Sequence, residues 1–365
     1  MRILLAGGGT GGPVVPLLAV YQKIKKDHPE VKFLLIGTNK GPERIFAQHN
    51  NLDFQSIPAG KWRRYFSFAN FVAPFEVIAG FIKALKIIKE FNPDVVFGAG
   101  GYVAVPVMLA AFIKRKKIVI HQQDIRTSLT NKILSPLADK ITVSFEWSLK
   151  DFYSGSGISS LKKEKVIWTG NPCREEFLKI YSDQQLKKIR EGLGLTERIP
   201  VIFVFGGGTG AQGLNLILEE ALPDLVRFAY AIHGTGSAKK SINFQHPRYL
   251  PQTLISNMAD VCAIADFVVC RAGLSTITEL SVSKKAAIIV PMPDSHQVDN
   301  ALVLKYFNAA IVLNQNNLDG AGLTAVIRKL MYDLELQTTL RQNICMLMPR
   351  DATEKVAKII LQLCQ

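Results

Sequence analysis

Two successive runs of short β-branched segments alternating with amphipathic segments predict an α/β protein of two Rossmann-like parallel-sheet domains facing a cleft. The first run has strand candidates at Arg2–Ala6, Lys32–Ile36, Asp94–Phe97, Lys117–Ile120 and Lys140–Val143. The same grammar restarts at Pro200–Phe205 and continues through Ala229–Ile232, Phe267–Cys270 and Ala287–Val290. Apolar strands separated by helical patterns belong to parallel sheets covered on both faces. A glycine-rich loop follows the first strand of each run, Gly7-Gly-Gly-Thr-Gly-Gly12 and Gly206-Gly-Gly-Thr-Gly-Ala-Gln-Gly213.

The chain has 365 residues, 48% hydrophobic and 20% charged, enough for two domains that each bury a core. Polar, glycine-rich Ser154–Ser160 and the cations of Lys162–Lys165 read as a loop near the boundary, with a hinge near Trp168–Asn171. Domains are therefore expected at 1–167 and 168–349. The last segment, Thr353–Leu363, is amphipathic, with Val356, Ile359, Ile360 and Leu363 on one face. Five cysteines without C-x-x-C spacing indicate neither a disulfide framework nor a zinc site, and a reducing cytoplasm is the simple inference. The apolar N-terminal run stops at glycines, too short for a signal peptide. No apolar run approaches the roughly 20 residues that span a bilayer. A formal net charge of +14 calls for nucleic acid, anionic lipid or a phosphorylated substrate. Composition does not choose among them.

Each glycine loop satisfies G-x-G-x-x-G between a strand and a helix, a pattern that points to phosphate or substrate contact. A dinucleotide site also needs an acid near the end of the second strand, to hold a ribose. Leu35-Ile36-Gly37-Thr38 and Ile232-His233-Gly234-Thr235 supply none, so another phosphorylated ligand is expected.

Val268–Leu280 offers the missing acid. A strand there reaches Arg271-Ala-Gly273 and opens into a helix that Ser275 or Thr276 is expected to cap, with Glu279 about a turn inside. A helix N-terminus attracts an anion, and Glu279 can accept hydrogen bonds from sugar hydroxyls. An ordinary βα turn with a solvated glutamate would be written with the same letters. On the first reading, a nucleotide lies across the carboxyl ends of the second sheet, its ribose on Glu279 and its diphosphate on the Gly206–Gly210 loop. No Asp-x-Asp pair occurs, so neither a metal nor another cofactor is expected. Backbone amides, helix dipoles and Arg271 would stabilise a leaving diphosphate.

Between the first strands, Lys61, Trp62, Arg63, Arg64, Phe66, Phe68 and Phe71 interleave cations with aromatics. Phe75–Lys89 follows as an apolar-rich helical pattern carrying Lys83, Lys86 and Lys89, the composition of an interfacial helix. The alternative is that Phe75, Ile78, Ile82, Leu85 and Ile88 face the core. No nucleic-acid-binding module is visible, so an anionic membrane surface is expected and nucleic acid is not.

In order along the chain, Gly8–Gly12 with Pro16, Gly98–Tyr102 with Pro106, His121-Gln-Gln-Asp124, Thr130-Asn-Lys132, Gly170-Asn-Pro-Cys-Arg174, Gly206–Ala211, Arg271–Glu279, Pro291 through His296–Ala301, and Asp351-Ala-Thr-Glu354 resemble the MurG-type N-acetylglucosaminyltransferases of peptidoglycan synthesis. That resemblance implies the two-domain GT-B fold and a final helix returning to the first domain. It implies inverting, metal-independent transfer of N-acetylglucosamine from UDP-N-acetylglucosamine to a polyprenyl-linked acceptor, lipid I, giving lipid II, by a peripheral protein on the cytoplasmic face of the bacterial membrane. It places the ribose on Glu279, the diphosphate on Leu274 through Thr278 with Ser275 and Thr276, the uracil on Ile255, and the donor sugar on Gln297 near Asn300. Arg174 and the loop bearing Gly207, Gly208 and Thr209 would line the nucleotide side. Thr10, Gly11, Gly12, Asp124 and Asn131 would face the acceptor.

The chain departs from that pattern at three places. Pro13 stands where the family has histidine, His-Glu-Gln-Asn becomes His121-Gln-Gln-Asp124, and Ser-Gln of the second glycine loop becomes Gly208-Thr209. Pro13 cannot act as a base, so His121 and Asp124 are the candidates for activating the acceptor hydroxyl. A different lipid acceptor, such as a diacylglycerol, and a non-catalytic sugar-nucleotide or lipid-binding role are the alternatives.

Overall fold

The computed structural model describes residues 1–9, 12–39, 41, 43–60, 69–153, 163–207, 210–236 and 242–364, with only the backbone at 69–72. The chain forms two compact units, Met1–Glu175 with Pro349–Gln365, and Glu176–Met348.

Unit 1 runs β1 (Arg2–Ala6), α1 (Val14–Asp27), β2 (Lys32–Gly37), α2 (Glu43–His49), β3 (Phe54–Ser56), α3 (Ala69–Phe91), β4 (Val95–Gly98), α4 (Ala104–Ile113), β5 (Lys117–Gln122), α5 (Leu129–Leu134), β6 (Lys140–Val143), α6 (Lys150–Tyr153) and β7 (Val166–Trp168). Its sheet is parallel, in the order β3-β2-β1-β4-β5-β6-β7. Successive side chains point to opposite faces, and both faces are buried: Leu4, Val96 and Ile120 pack with Ile88 and Met108, while Ile3, Leu5 and Phe97 pack with Leu17 and Ile24.

Unit 2 runs α7 (Asp183–Gly192), β8 (Val201–Phe205), α8 (Gln212–Leu225), β9 (Tyr230–Gly234), β10 (Tyr249–Gln252), α9 (Met258–Ile264), β11 (Phe267–Cys270), α10 (Leu274–Val282), β12 (Ala287–Ile289), α11 (His296–Tyr306), β13 (Ile311–Val312), α12 (Gly320–Tyr332) and α13 (Leu334–Cys345). This second parallel sheet has the order β10-β9-β8-β11-β12-β13. Strand order reverses between β1 and β4 in one sheet and between β8 and β11 in the other, and open α/β sheets bind ligands at the carboxyl ends beside such reversals.

All nine strands expected from the sequence are present. The four not expected, β3, β7, β10 and β13, are the outer strands of the two sheets. An outer strand pairs on one side only and tolerates polar and half-exposed residues: β3 is Phe-Gln-Ser, and Trp168 at the end of β7 is exposed. Pro251 sits in β10, where the missing N–H costs no ladder bond to a second neighbour.

Unit 1 is completed by α14 (Ala352–Leu363), whose Val356, Ala357 and Ile360 enter the core beside α1. Two motifs distant in sequence hold it. Gly170, at φ +81°, leaves room for Pro349, whose Cδ would stand 2.7 Å from a Cβ there. The Cys173 N–H donates to Thr353 Oγ1 at 3.0 Å, and that hydroxyl donates to the Cys173 carbonyl at 3.0 Å. Thr169 and Gly170 both donate N–H groups to the Val143 carbonyl. The Trp168–Asn171 segment is therefore anchored within unit 1, and the division between units falls after Glu175. The expected boundary loop Ser154–Ser160 lies outside the described residues.

Candidate active site

In unit 2, the carboxyl ends of β8 and β11 bring together the glycine loop and the start of α10. Ser275 and Thr276 do not cap this helix. Gly273 is the N-cap, extended at φ −70° and ψ 136°, and no side chain makes a capping bond. The helix begins at Leu274, before either hydroxyl. An amino end without a side-chain cap directs backbone N–H groups outward and carries the positive end of the helix dipole. Leu274 is buried, and Thr278 Oγ1 donates to the Leu274 carbonyl at 2.9 Å. Glu279 is only 5% exposed, which rules out the solvated glutamate of an ordinary turn.

Arg271 is buried, and its guanidinium is committed. Nη1 donates to the carbonyls of Val290 at 3.0 Å and Pro291 at 3.1 Å, and Nη2 to Gln315 Oε1 at 2.5 Å. These bonds make Arg271 a tie between β11 and the turn after β12, and burial lowers its pKa. Gln315 also flanks Gly213, at 2.6 Å from a Cβ there. Sequence reasoning missed Gln315, which lies in a short 3-10 turn 44 residues from its partner.

Gly207, Ile255, Gln297 and Asn300, also expected around the donor, follow strands of the same sheet. Gly207 is at φ +94°, with the Gly210 N–H closing a turn onto its carbonyl at 2.9 Å; Gly208 and Thr209 lie outside the described residues. Ile255 is buried next to Gly234 at the end of β9. Gln297 Oε1 accepts the Met292 N–H at 3.0 Å, and Asn300 Nδ2 donates to the Ala272 carbonyl at 3.0 Å. Both amides thus brace turns next to α10. Cys262 and Cys270 are buried, and burial raises both thiols, Cys262 to about 11, so neither serves as a nucleophile. Arg174 belongs to unit 1, partly exposed and one residue from Glu175, which pairs with Lys26 at 2.5 Å.

In unit 1, the loops after β1, β4 and β5 converge. Gln123 Nε2 donates to the Gly12 carbonyl at 3.3 Å and the Ala99 carbonyl at 3.4 Å, so the Gln-Gln-Asp segment touches the first glycine loop. Thr10 and Gly11 lie outside the described residues. Asn131, buried on α5, donates to the His121 carbonyl at 3.1 Å and Gln122 Oε1 at 2.7 Å, and its own Oδ1 has no partner among the described residues. Asp124 is partly exposed at the end of this segment.

His121 is fully buried. Its Nδ1 meets Thr142 Oγ1 at 2.8 Å and its Nε2 meets Asn171 Oδ1 at 2.9 Å. With a carbonyl oxygen at Nε2, that nitrogen carries the proton and donates to it. Burial lowers the ring pKa to about 4, the bond to Asn171 opposing. With both nitrogens engaged inside the protein, His121 holds β5, β6 and the Asn171 turn together instead of reaching a substrate hydroxyl. The sequence signal of a histidine at a strand end does not distinguish these roles.

Residues 3–143 match the glycosyltransferase family 28 N-terminal domain and residues 201–362 its C-terminal domain. This chain belongs to glycosyltransferase family 28. Among relatives, a UDP-N-acetylglucosamine--N-acetylmuramyl-(pentapeptide) pyrophosphoryl-undecaprenol N-acetylglucosamine transferase from Acetivibrio thermocellus is 34% identical over 373 positions, covering 99% of this chain and 97% of the relative. A protein of the same name from Listeria monocytogenes is 32% identical, covering 100% and 99%. The crystal structure of Acinetobacter baumannii MurG superposes with a TM-score of 0.69 at 24% identity, covering 99% of each chain. It shares the fold described above, and two parallel-sheet units with glycine loops at both strand-order reversals are what this family 28 chain presents to its substrates.

Proposed function

We propose that this chain transfers N-acetylglucosamine from UDP-N-acetylglucosamine to N-acetylmuramyl-(pentapeptide) pyrophosphoryl-undecaprenol, lipid I, and so makes lipid II for peptidoglycan. Similarity along the whole chain to relatives bearing that activity in their names carries the reading. The donor's ribose is held by Glu279, and its diphosphate by the amino end of α10 and the Gly206–Gly210 loop. Uracil packs on Ile255, and Gln297 contacts the donor sugar. As the sugar leaves, charge grows on the diphosphate, and preorganised backbone N–H groups in a dry site stabilise that charge.

On the acceptor side, Thr10, Gly11, Gly12 and Asn131 orient the sugar and Asp124 takes the proton of the attacking hydroxyl. Asp124 is preferred to His121 because it is partly exposed, whereas both His121 nitrogens are engaged in the interior. The protein works from the cytoplasmic membrane surface. Phe75, Ile78 and Ile82 on α3 support that placement, since all three are exposed beside Lys83 and Lys86; aromatic and aliphatic side chains next to lysines suit an anionic interface. The stretch from Lys61 through Phe68, with Trp62, Arg63, Arg64 and Phe66, lies outside the described residues, and of Phe71 only the backbone is described. Among the described residues no helix is long and apolar enough to cross a membrane.

The test is turnover with UDP-N-acetylglucosamine and lipid I, with and without EDTA, alongside calorimetry of UDP on Glu279→Ala. Lipid II forms at equal rates in both buffers, and the variant keeps its melting temperature while binding UDP about 10- to 100-fold more weakly, as expected for a lost charged hydrogen bond. Equal UDP affinity in the two proteins removes Glu279 from the ribose site. Product from a diacylglycerol but none from lipid I moves the chain to another acceptor.

A further inference from the structure

Gln122, the last residue of β5, is 1% exposed. A buried primary amide is costly unless its N–H donors and its carbonyl oxygen all find partners. Here they come from the segment that follows. Nε2 donates to the Asp124 carbonyl at 2.7 Å and to the Arg126 carbonyl at 2.9 Å. Oε1 accepts the Ser128 N–H at 3.3 Å and Asn131 Nδ2 at 2.7 Å. The chain from Asp124 to Ser128 is thus wrapped around one side chain. Two further bonds hold the same segment from α6 and the turn before it: Ser148 Oγ donates to the Ile125 carbonyl at 3.1 Å, and the Thr127 hydroxyl donates to Asp151 Oδ2 at 2.8 Å. Asp124, partly exposed, is the carboxylate that this segment carries.

A carboxylate in place of the Gln122 amide could not make these bonds. An ionised glutamate accepts hydrogen bonds and donates none. It would set oxygen against the Asp124 and Arg126 carbonyls and place a second negative charge two residues from Asp124. We propose that Gln122 is a positioning residue for the transfer: by holding the backbone at Asp124 it fixes where that carboxylate meets the acceptor hydroxyl, and as a neutral group it leaves the negative charge of the segment on Asp124 alone. The role in catalysis rests on the transfer and on Asp124 as its base, both proposed above; the bracing of the segment does not.

Gln122→Glu keeps the length of the side chain and removes both donors. With lipid I and UDP-N-acetylglucosamine it lowers kcat about 10²-fold, while the KM for UDP-N-acetylglucosamine and the affinity for UDP stay at their wild-type values. If that variant has lost its melting transition, Gln122→Met, uncharged and of similar length, takes its place. A double-mutant cycle shows what Gln122 acts through. Asp124→Asn loses about 10²–10⁴-fold as a lost base, and adding the Gln122 substitution lowers kcat by no more than about twofold further. Effects that multiply, or wild-type kcat in the folded Gln122 variant, overturn the proposal even where Asp124 is the base. Wild-type kcat in Asp124→Asn removes the base and the proposal with it. Amide hydrogen exchange reads the brace without turnover: residues 124–128 exchange at least about tenfold faster in the variant, with β5 unchanged, and equal exchange overturns the brace. A wild type that makes no lipid II overturns the transfer and the catalytic role, and hydrogen exchange still decides the brace.

Discussion

His121 and His233 are both neutral because the interior seals them. His233 repeats the pattern in unit 2, with Nδ1 on the Tyr249 hydroxyl at 2.9 Å and Nε2 on Asn215 Oδ1 at 3.2 Å, and burial lowers it to about 4 as well. The unfolded chain binds these protons near pH 6.5 and the folded chain near pH 4, so unfolding is favoured as pH falls between those values. Stability is full above pH 6.5 and declines below it, by about 2 kcal/mol per histidine at pH 5. Urea midpoints should therefore fall between pH 7 and pH 5, and His121→Gln should flatten the profile. A midpoint insensitive to pH would exclude proton linkage at these residues. Their burial was invisible in the letters: His121 follows an apolar run just as a catalytic histidine would, and only Thr142 and Asn171, 21 and 50 residues away, reveal that it is enclosed.

Among the elements, α3 shows the same limit. Its 3.6-residue period is legible, but not which face meets the core. The alternative in which Phe75, Ile78, Ile82, Leu85 and Ile88 all turn inward fails for the first three, which are 72%, 56% and 62% exposed. Ala73, Ala84, Ile87 and Ile88 are the buried ones, and Gly80 lets the helix approach Pro58, whose carbonyl oxygen would stand 2.1 Å from a Cβ there. Ala73, Gly80 and Ala84 mark the packed face where the helix lies close to its neighbours, and Phe75, Ile78 and Ile82 are left outside. Replacing Phe75, Ile78 and Ile82 together by serine should reduce co-sedimentation with anionic vesicles by about tenfold or more while changing stability by under about 0.5 kcal/mol per site. Unchanged co-sedimentation would remove this stripe from the membrane contact.

For the whole molecule, α14 decides whether unit 1 can stand as a sequence-contiguous domain. Val356, Ala357 and Ile360 are buried in a core otherwise built from the first 120 residues, and burial of a Val or Ile side chain contributes about 1.5–3 kcal/mol. Lys23 adds an ion pair to Glu354 at 3.3 Å, exposed enough to contribute little. Truncation after Met348 should therefore remove several kcal/mol from unit 1 and lower its melting temperature, while UDP binding by unit 2 is retained. Unit 1 melting unchanged after truncation would show α14 to be dispensable.

The amino-acid sequence alone determined the two parallel sheets, their nine inner strands and the glycine loops at the carboxyl ends of β1 and β8. An inner strand is buried on both faces, so its apolar run is obligatory, and a glycine turn is a property of its own backbone. Tertiary structure alone decided the four outer strands, the enclosure of His121, the glycine N-cap of α10 and the commitment of Arg271 to Gln315. All but the N-cap depend on a neighbour elsewhere along the chain, up to the 50 residues between His121 and Asn171. Local pattern carries no record of such a partner until the fold brings the two together.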